Sequence, residues 1–137
     1  DNFKPINDQF GHAVGDEVLW VIARRIRHGL SEHDLLARYG GEEFAAILPG
    51  ADGGAGASVA ERLRELVGTE SAHTSDGPLA VTISLGVAHI TAQTATVDDL
   101  LGLADQRLLR AKREGRNRVV GGLERDDQAA AYAGNPR

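Results

Sequence analysis

Glu42 and Glu43 stand side by side directly after the glycine pair Gly40-Gly41. Adjacent carboxylates repel as like charges, and a hard divalent cation would relieve that repulsion. The pair also reads as two solvated glutamates on a turn. Gly40 and Gly41 permit the positive φ of a tight turn, and their bare backbone would let a planar or phosphorylated ligand approach closely. Near the start of the chain, Asn7 offers an amide and Asp16 a carboxylate, groups that together can read a guanine edge. Asp16 taken alone reads as a helix N-cap. Lys112 and Arg116 fall where a helix ends, so they either complement its macrodipole or grip phosphates. Spacing leaves each of these alternatives open.

Other chemistries are weaker. His12, His28, His33, His73 and His89 are dispersed without metal-ligand spacing. Ser84 sits in no Gly-x-Ser-x-Gly elbow, which argues against a serine hydrolase. The absence of cysteine excludes disulfides, thiolate zinc sites and thiol nucleophiles.

The elements that must position these residues follow from periodicity. Val18, Leu19, Ile22, Ile26 and Leu30 recur at helical spacing, which predicts an amphipathic helix over residues 16–30 with Trp20 as a packing residue. Residues 35–39 and 44–48 are apolar runs around Gly40-Gly41-Glu42-Glu43, a β-hairpin with two carboxylates at its tip. A glycine-rich loop over 49–56 leads into a helix marked by Ala57, Ala60, Leu63, Leu66 and Val67. Alternation from Leu79 through Val81, Ile83 and Leu85 to Val87 predicts one strand. Thr96-x-x-Asp99 opens a last helix that Gly115 stops, and residues 118–120 form a final strand. The order helix, strand, strand, helix, strand, helix, strand predicts an α/β sandwich with an antiparallel hairpin inside a mixed sheet. Asp1–Lys4 reads as a loop following a strand in a split βαβ arrangement.

At 137 residues, with 42% hydrophobic and 26% charged residues, the chain can build one core without metal or disulfide support. The domain is expected over residues 1–122, with a flexible tail over 123–137. No run approaches the roughly 18 apolar residues of a membrane span. A net charge of −5 disfavours nucleic-acid partners and direct contact with anionic membranes, while leaving room for a small anionic ligand on a local basic patch. Without methionine and starting at Asp1, the chain reads as a piece of a longer protein. Its expected location is the cytoplasm, where the parent protein could still be membrane-anchored.

Four ordered segments carry a resemblance. Phe3-Lys4-Pro5-Ile6-Asn7-Asp8-Gln9-Phe10-Gly11-His12-Ala13-Val14-Gly15-Asp16, Arg38-Tyr39-Gly40-Gly41-Glu42-Glu43-Phe44, Ile83-Ser84-Leu85-Gly86-Val87-Ala88 and Ala111-Lys112-Arg113-Glu114-Gly115-Arg116-Asn117 together resemble the GGDEF family of bacterial diguanylate cyclases. The resemblance implies a ferredoxin-like, nucleotidyl-cyclase-like fold. It also implies condensation of two GTP molecules into cyclic di-GMP with release of two pyrophosphates, across a homodimer of facing domains. By motif position, Glu42 and Glu43 would be the catalytic and metal-binding acids, with Mg²⁺ or Mn²⁺ as the cofactor. Asn7 and Asp16 would recognise guanine, and Gly40 and Gly41 would let the nucleotide lie against the turn. Phe3, Lys4, Lys112 and Arg116 would surround the triphosphate. Positioning and charge neutralisation of this kind are what phosphoryl transfer needs from a protein. An upstream sensor domain is the implied partner in the parent protein. The competing reading is a GTP-binding or regulatory domain of this family without turnover.

Two departures stand out. The family motif begins Asp-x-Asp-x-Phe-Lys, and Asp1 matches its second aspartate, so one metal ligand and the strand that bears it are expected to be missing. A domain lacking that strand should be poorly stable alone or take a strand from another chain. The inhibitory motif Arg-x-x-Asp is degenerate, with Ser31 in place of arginine and Asp34 retained. Serine cannot make the bidentate contact that arginine makes to phosphate or guanine.

Overall fold

Helix α2, His12–Gly29, supplies the centre of the core: Val18, Ile22 and Ile26 on one stripe, with Leu30 just beyond it, pack on Leu63 and Val67 of α3, Gly53–Gly68. The computed structural model describes residues 1–122. The two helices also cap each other. Arg25 of α2 donates to the carbonyls of Val67, Glu70 and Ser71 at 2.8, 2.7 and 3.0 Å, and Arg62 of α3 donates to the Gly29 carbonyl at 2.6 Å. Carbonyls left over at both helix ends thereby gain charged donors.

The hairpin pairs β1, Leu35–Arg38, antiparallel with β2, Phe44–Ile47, as expected. Leu36, Phe44 and Leu48 turn toward the core, while Leu35 and Ile47 face outward. A short hairpin of β3, Ala72–Thr74, and β4, Gly77–Leu79, follows α3. Strand β5, Leu85–Val87, runs parallel to β6, Val119–Gly121, with α4, Val97–Arg113, between them in sequence. Successive residues of β5 face opposite sides. Gly86 lies against the α4 backbone, and Val87 touches Gly56 of α3, so the helices sandwich this ladder. Thr96 Oγ1 accepts from the Asp99 amide at 3.1 Å, which is the expected cap of α4. The result is the expected mixed α/β class, but the strands form three separate two-stranded ladders among the described residues, so the hairpin does not lie inside one mixed sheet.

Several boundaries differ from expectation. The strand expected over 79–87 divides into β4 and β5, and residues 80–84 belong to no ladder among the described residues. Alternation there still has its packing consequence, because Val81 is buried and Ile83 packs on the core. Residues 3–10, expected in part as loop, form α1, Phe3–Phe10, which buries no residue completely. Pro5 is tolerated in the first turn, where amides have no intrahelical acceptor. Asp16 is not an N-cap: α2 begins four residues earlier, after Gly11. Helix α3 likewise starts inside the expected glycine-rich loop, because the Asp52 carboxylate accepts from the Ala55 amide at 2.8 Å. Trp20 is not a core residue but 61% exposed, with the Arg24 guanidinium 4.6 Å from its ring centroid. The expected tail lies outside the described residues.

Glu17 on α2 fixes the β3–β4 turn by accepting from the Ser75 amide and hydroxyl, both at 2.7 Å. These hydrogen bonds hold its carboxyl below the ordinary value. A depressed folded-state pKa means that the stabilisation is complete above the unfolded carboxyl range and is lost as pH falls through the folded value. Glu17→Gln is therefore expected to flatten the acid limb of stability below about pH 4.5. Urea midpoints measured from pH 3 to pH 7 check this.

Candidate active site

The hairpin tip is built by its backbone. Tyr39 and Gly40 amides donate to the Glu43 carbonyl at 2.8 and 3.2 Å, and Arg38 Nε donates to the Gly40 and Gly41 carbonyls at 3.3 and 3.2 Å. Neither Gly40 nor Gly41 has positive φ, which corrects the expected reason for the pair. A Cβ on Gly41 would meet nothing within 4 Å, and one on Gly40 would stand 3.4 Å from Glu43 Oε2. The Glu42 side chain is exposed and Glu43 is half-buried.

Asp1 links three distant parts of the chain. Its carboxylate accepts from Thr82 Oγ1 at 2.9 Å, Ser84 Oγ at 2.7 Å and the Asn117 amide at 3.1 Å. Its backbone nitrogen donates to the Thr82 carbonyl at 2.9 Å. The Asn117 amide, just beyond α4, and Glu42 of the hairpin tip, across a shared cavity, both lie beside Asp1. A cavity of about 40 Å³ beside it is lined by Asp1, Phe3, Glu42 and Phe44, with residues 81–83 behind.

Asn7 sits on α1 against α2, where a Cβ on Gly15 would lie 1.9 Å from Asn7 Oδ1 and 3.1 Å from Phe3 Cζ. Asn7 Oδ1 is buried and accepts no hydrogen bond among the described residues. A buried acceptor left open is costly unless a ligand or water donates to it. Asp16 follows Gly15 on α2 and is exposed. Lys4 is exposed on α1, Lys112 is half-buried near the end of α4, and Arg116 is exposed on the turn beyond it.

Among the described residues, no three or more histidine, aspartate or glutamate side chains gather as a ready-made metal cage. Asp1 already spends its carboxylate on Thr82, Ser84 and Asn117. The donors that remain, Glu42 and Glu43, fit a Mg²⁺ that enters with phosphate oxygens and water, which is that ion's usual mode.

At the degenerate motif, the Ser31 amide donates to Asp34 Oδ2 at 2.8 Å, and Arg27 Nη1 donates to the Asp34 carbonyl at 2.9 Å. The Asp34 carboxylate is thus occupied in closing its own turn. Spacing did not reveal Asp1 as a junction, or Arg64 of α3, whose guanidinium reaches Asn117 Oδ1 at 2.9 Å. The available signal was Thr82 and Ser84, two hydroxyls at alternate positions in an otherwise apolar run.

Residues 1–118 match the family described as diguanylate cyclase, GGDEF domain. The chain is 43% identical over 119 residues to diguanylate cyclase DgcP of Pseudomonas aeruginosa, covering 87% of this chain and 18% of that protein. It resembles the solved active GGEEF domain of a diguanylate cyclase from Vibrio cholerae with a TM-score of 0.80 and 35% identity, covering 88% of this chain and 76% of that one. The GGDEF domain of DgcB from Caulobacter crescentus, solved in complex with cyclic di-GMP, gives a TM-score of 0.81 at 34% identity, covering 88% and 71%. The chain spans a third or less of the length of the curated relatives it matches. Its fold is accordingly the nucleotidyl-cyclase-like fold of these domains. The chain belongs to the GGDEF family of diguanylate cyclase domains.

Proposed function

We propose that this domain condenses two GTP molecules into cyclic di-GMP, with two copies facing each other so that each ribose 3′-hydroxyl meets the other's α-phosphate. The observation that carries the reading is the convergence on Asp1 of Glu42, which lines the same cavity, and of the Asn117 amide just beyond α4, which brings the acidic hairpin tip and the basic end of that helix to one end of the fold. Asn7 and Asp16 receive the guanine, whose N–H groups match the acceptors of an amide and a carboxylate. Gly40 and Gly41 leave room for the nucleotide over the hairpin. Lys4, Lys112 and Arg116 neutralise the triphosphate, and Phe3 packs beneath it. Glu42 and Glu43 hold Mg²⁺ or Mn²⁺, which when bound offsets phosphate charge. The solved DgcB complex with cyclic di-GMP supports this product class.

A second reading, a GTP-binding or regulatory domain without turnover, is favoured by the lack of a third acidic ligand among the described residues. Incubation with GTP and Mg²⁺, followed by ion-exchange chromatography and mass spectrometry, separates the two. Cyclic di-GMP as product supports condensation. Bound but unconverted GTP supports the second reading, and a cyclic mononucleotide would overturn both.

Product feedback through the Ser31–Asp34 turn is expected to be absent, because the arginine is lacking and Asp34 is engaged within the turn. Titrating cyclic di-GMP against the chain and Asp34→Ala should give superimposable responses. Tight product binding lost in Asp34→Ala would contradict this.

A further inference from the structure

The turn that carries Arg116 has an unfavourable backbone shape imposed from outside it, and we infer that Arg64 on α3 is a positioning residue for the phosphate end of the site, acting through Asn117. Gly115, Arg116 and Asn117 have φ of 121°, 65° and 45°, three successive residues in the left-handed region, two of them bearing side chains. Residues with a Cβ adopt such angles at a steric cost, and the shape persists only where the surroundings fix it.

Besides the Arg118 Nε contact to the Arg116 carbonyl at 3.1 Å, three contacts fix it here. The Arg116 amide donates to the Ala111 carbonyl at 3.0 Å, which closes the end of α4. The Asn117 amide donates to Asp1 Oδ2 at 3.1 Å. Arg64 Nη1 donates to Asn117 Oδ1 at 2.9 Å. The first contact is backbone to backbone, and the second needs the Asp1 carboxylate but only an amide at position 117, which any residue but proline would provide. The third depends on two particular side chains from segments 53 positions apart.

Arg64 is itself held in place. Its Nε lies 3.0 Å from both carboxylate oxygens of Glu61, one turn earlier on α3. Its side chain is only 23% exposed, so little freedom remains to the guanidinium. A planar fork can address Glu61 along one edge and Asn117 from another nitrogen, which a lysine ammonium does less well. Helix α3 thereby sets the direction in which the neighbouring Arg116 leaves the turn, although Arg64 need not touch the nucleotide.

This inference rests on the reading of Arg116 as a phosphate ligand, and the test keeps the two apart. Mg·GTP and guanosine are titrated by NMR into the chain, Arg64→Gln, Arg64→Lys, and Arg64→Gln combined with Asn117→Gly. Arg64→Gln should weaken Mg·GTP about tenfold and leave guanosine unchanged, because only the phosphate end is misplaced. Arg64→Lys should recover part of the loss. On the Asn117→Gly background, where glycine takes φ of 45° freely, Arg64→Gln should cost less than about twofold. An unchanged Mg·GTP affinity in Arg64→Gln overturns the inference while leaving the proposed function standing. Equal losses for Mg·GTP and guanosine also overturn it, since general loosening of the fold would do that. A chain that binds guanosine and Mg·GTP equally well before any substitution removes the phosphate reading and the inference together.

Discussion

Glu42→Gln will lower cyclic di-GMP formation roughly a hundredfold or more while leaving the unfolding midpoint in place. The substitution conserves shape and removes only charge. Glu42 is exposed and makes no hydrogen bond or ion pair among the described residues, so no structural contact is lost with it. In the proposed site, a carboxylate that holds a divalent cation beside a triphosphate loses most of its hold when it becomes an amide. Quantified product from matched amounts of both proteins, with thermal melts run alongside, checks the expectation. Glu43→Gln should also reduce turnover. Its side chain approaches Gly40 within the tip, with Oε2 3.4 Å from where a Cβ on that glycine would stand, so some of its effect will be on the geometry of the turn. Equal turnover by Glu42→Gln and the unmodified chain would remove Glu42 from the proposed machinery.

Gly86→Ala will cost about 3 kcal/mol of stability. A Cβ at that position would lie 2.0 Å from the Ala104 carbonyl oxygen and 2.4 Å from the Leu108 amide nitrogen. Both are backbone atoms of α4, so no rotamer change can make room and the helix must move off β5. The unfolding midpoint should fall on the order of 10 °C. Gly41→Ala is the control, because its Cβ meets open space and its φ is not positive. That variant should melt within a few degrees of the parent, so any loss of turnover it shows reports crowding at the nucleotide. Circular dichroism melts of the three proteins give the comparison.

Much of the scaffold was legible because its signals are local. The stripes of α2 and α3, the Thr96 cap, the stop at Gly115 and the hairpin around Gly40-Gly41 depend on residues within a few positions of each other. Helix α1 was hidden because it buries no residue fully and carries Pro5. The start of α3 was hidden because Gly53 and Gly56 look like loop residues; they are small because His89 and Val87 pack against them. The 79–87 strand was overdrawn for a different reason: alternation reports which side chains face the core, whereas a strand also requires a hydrogen-bonded neighbour. At the site, the acidic tip and the residues named by motif position could be read, but the contacts of Asp1 and Arg64 run across the fold, and only the alternate hydroxyls Thr82 and Ser84 hint at the first of them.

The separation of the β1–β2 hairpin from the β5–β6 ladder has a consequence for how this chain opens. Among the described residues, no backbone ladder joins the β1–β2 hairpin to β5 and β6. The hairpin is fastened instead by the side chains of Leu36, Phe44 and Leu48 on the core. Units joined by side chains alone open as separate cooperative blocks, at a free energy below that of global unfolding. Amides of Arg38 and Phe44 should therefore exchange with deuterium sooner than those of Ile22 and Ile26. Because the acidic tip rides on the earlier-opening block and Lys112 on the other, a nucleotide spanning them would act as the clasp that slows exchange in the hairpin.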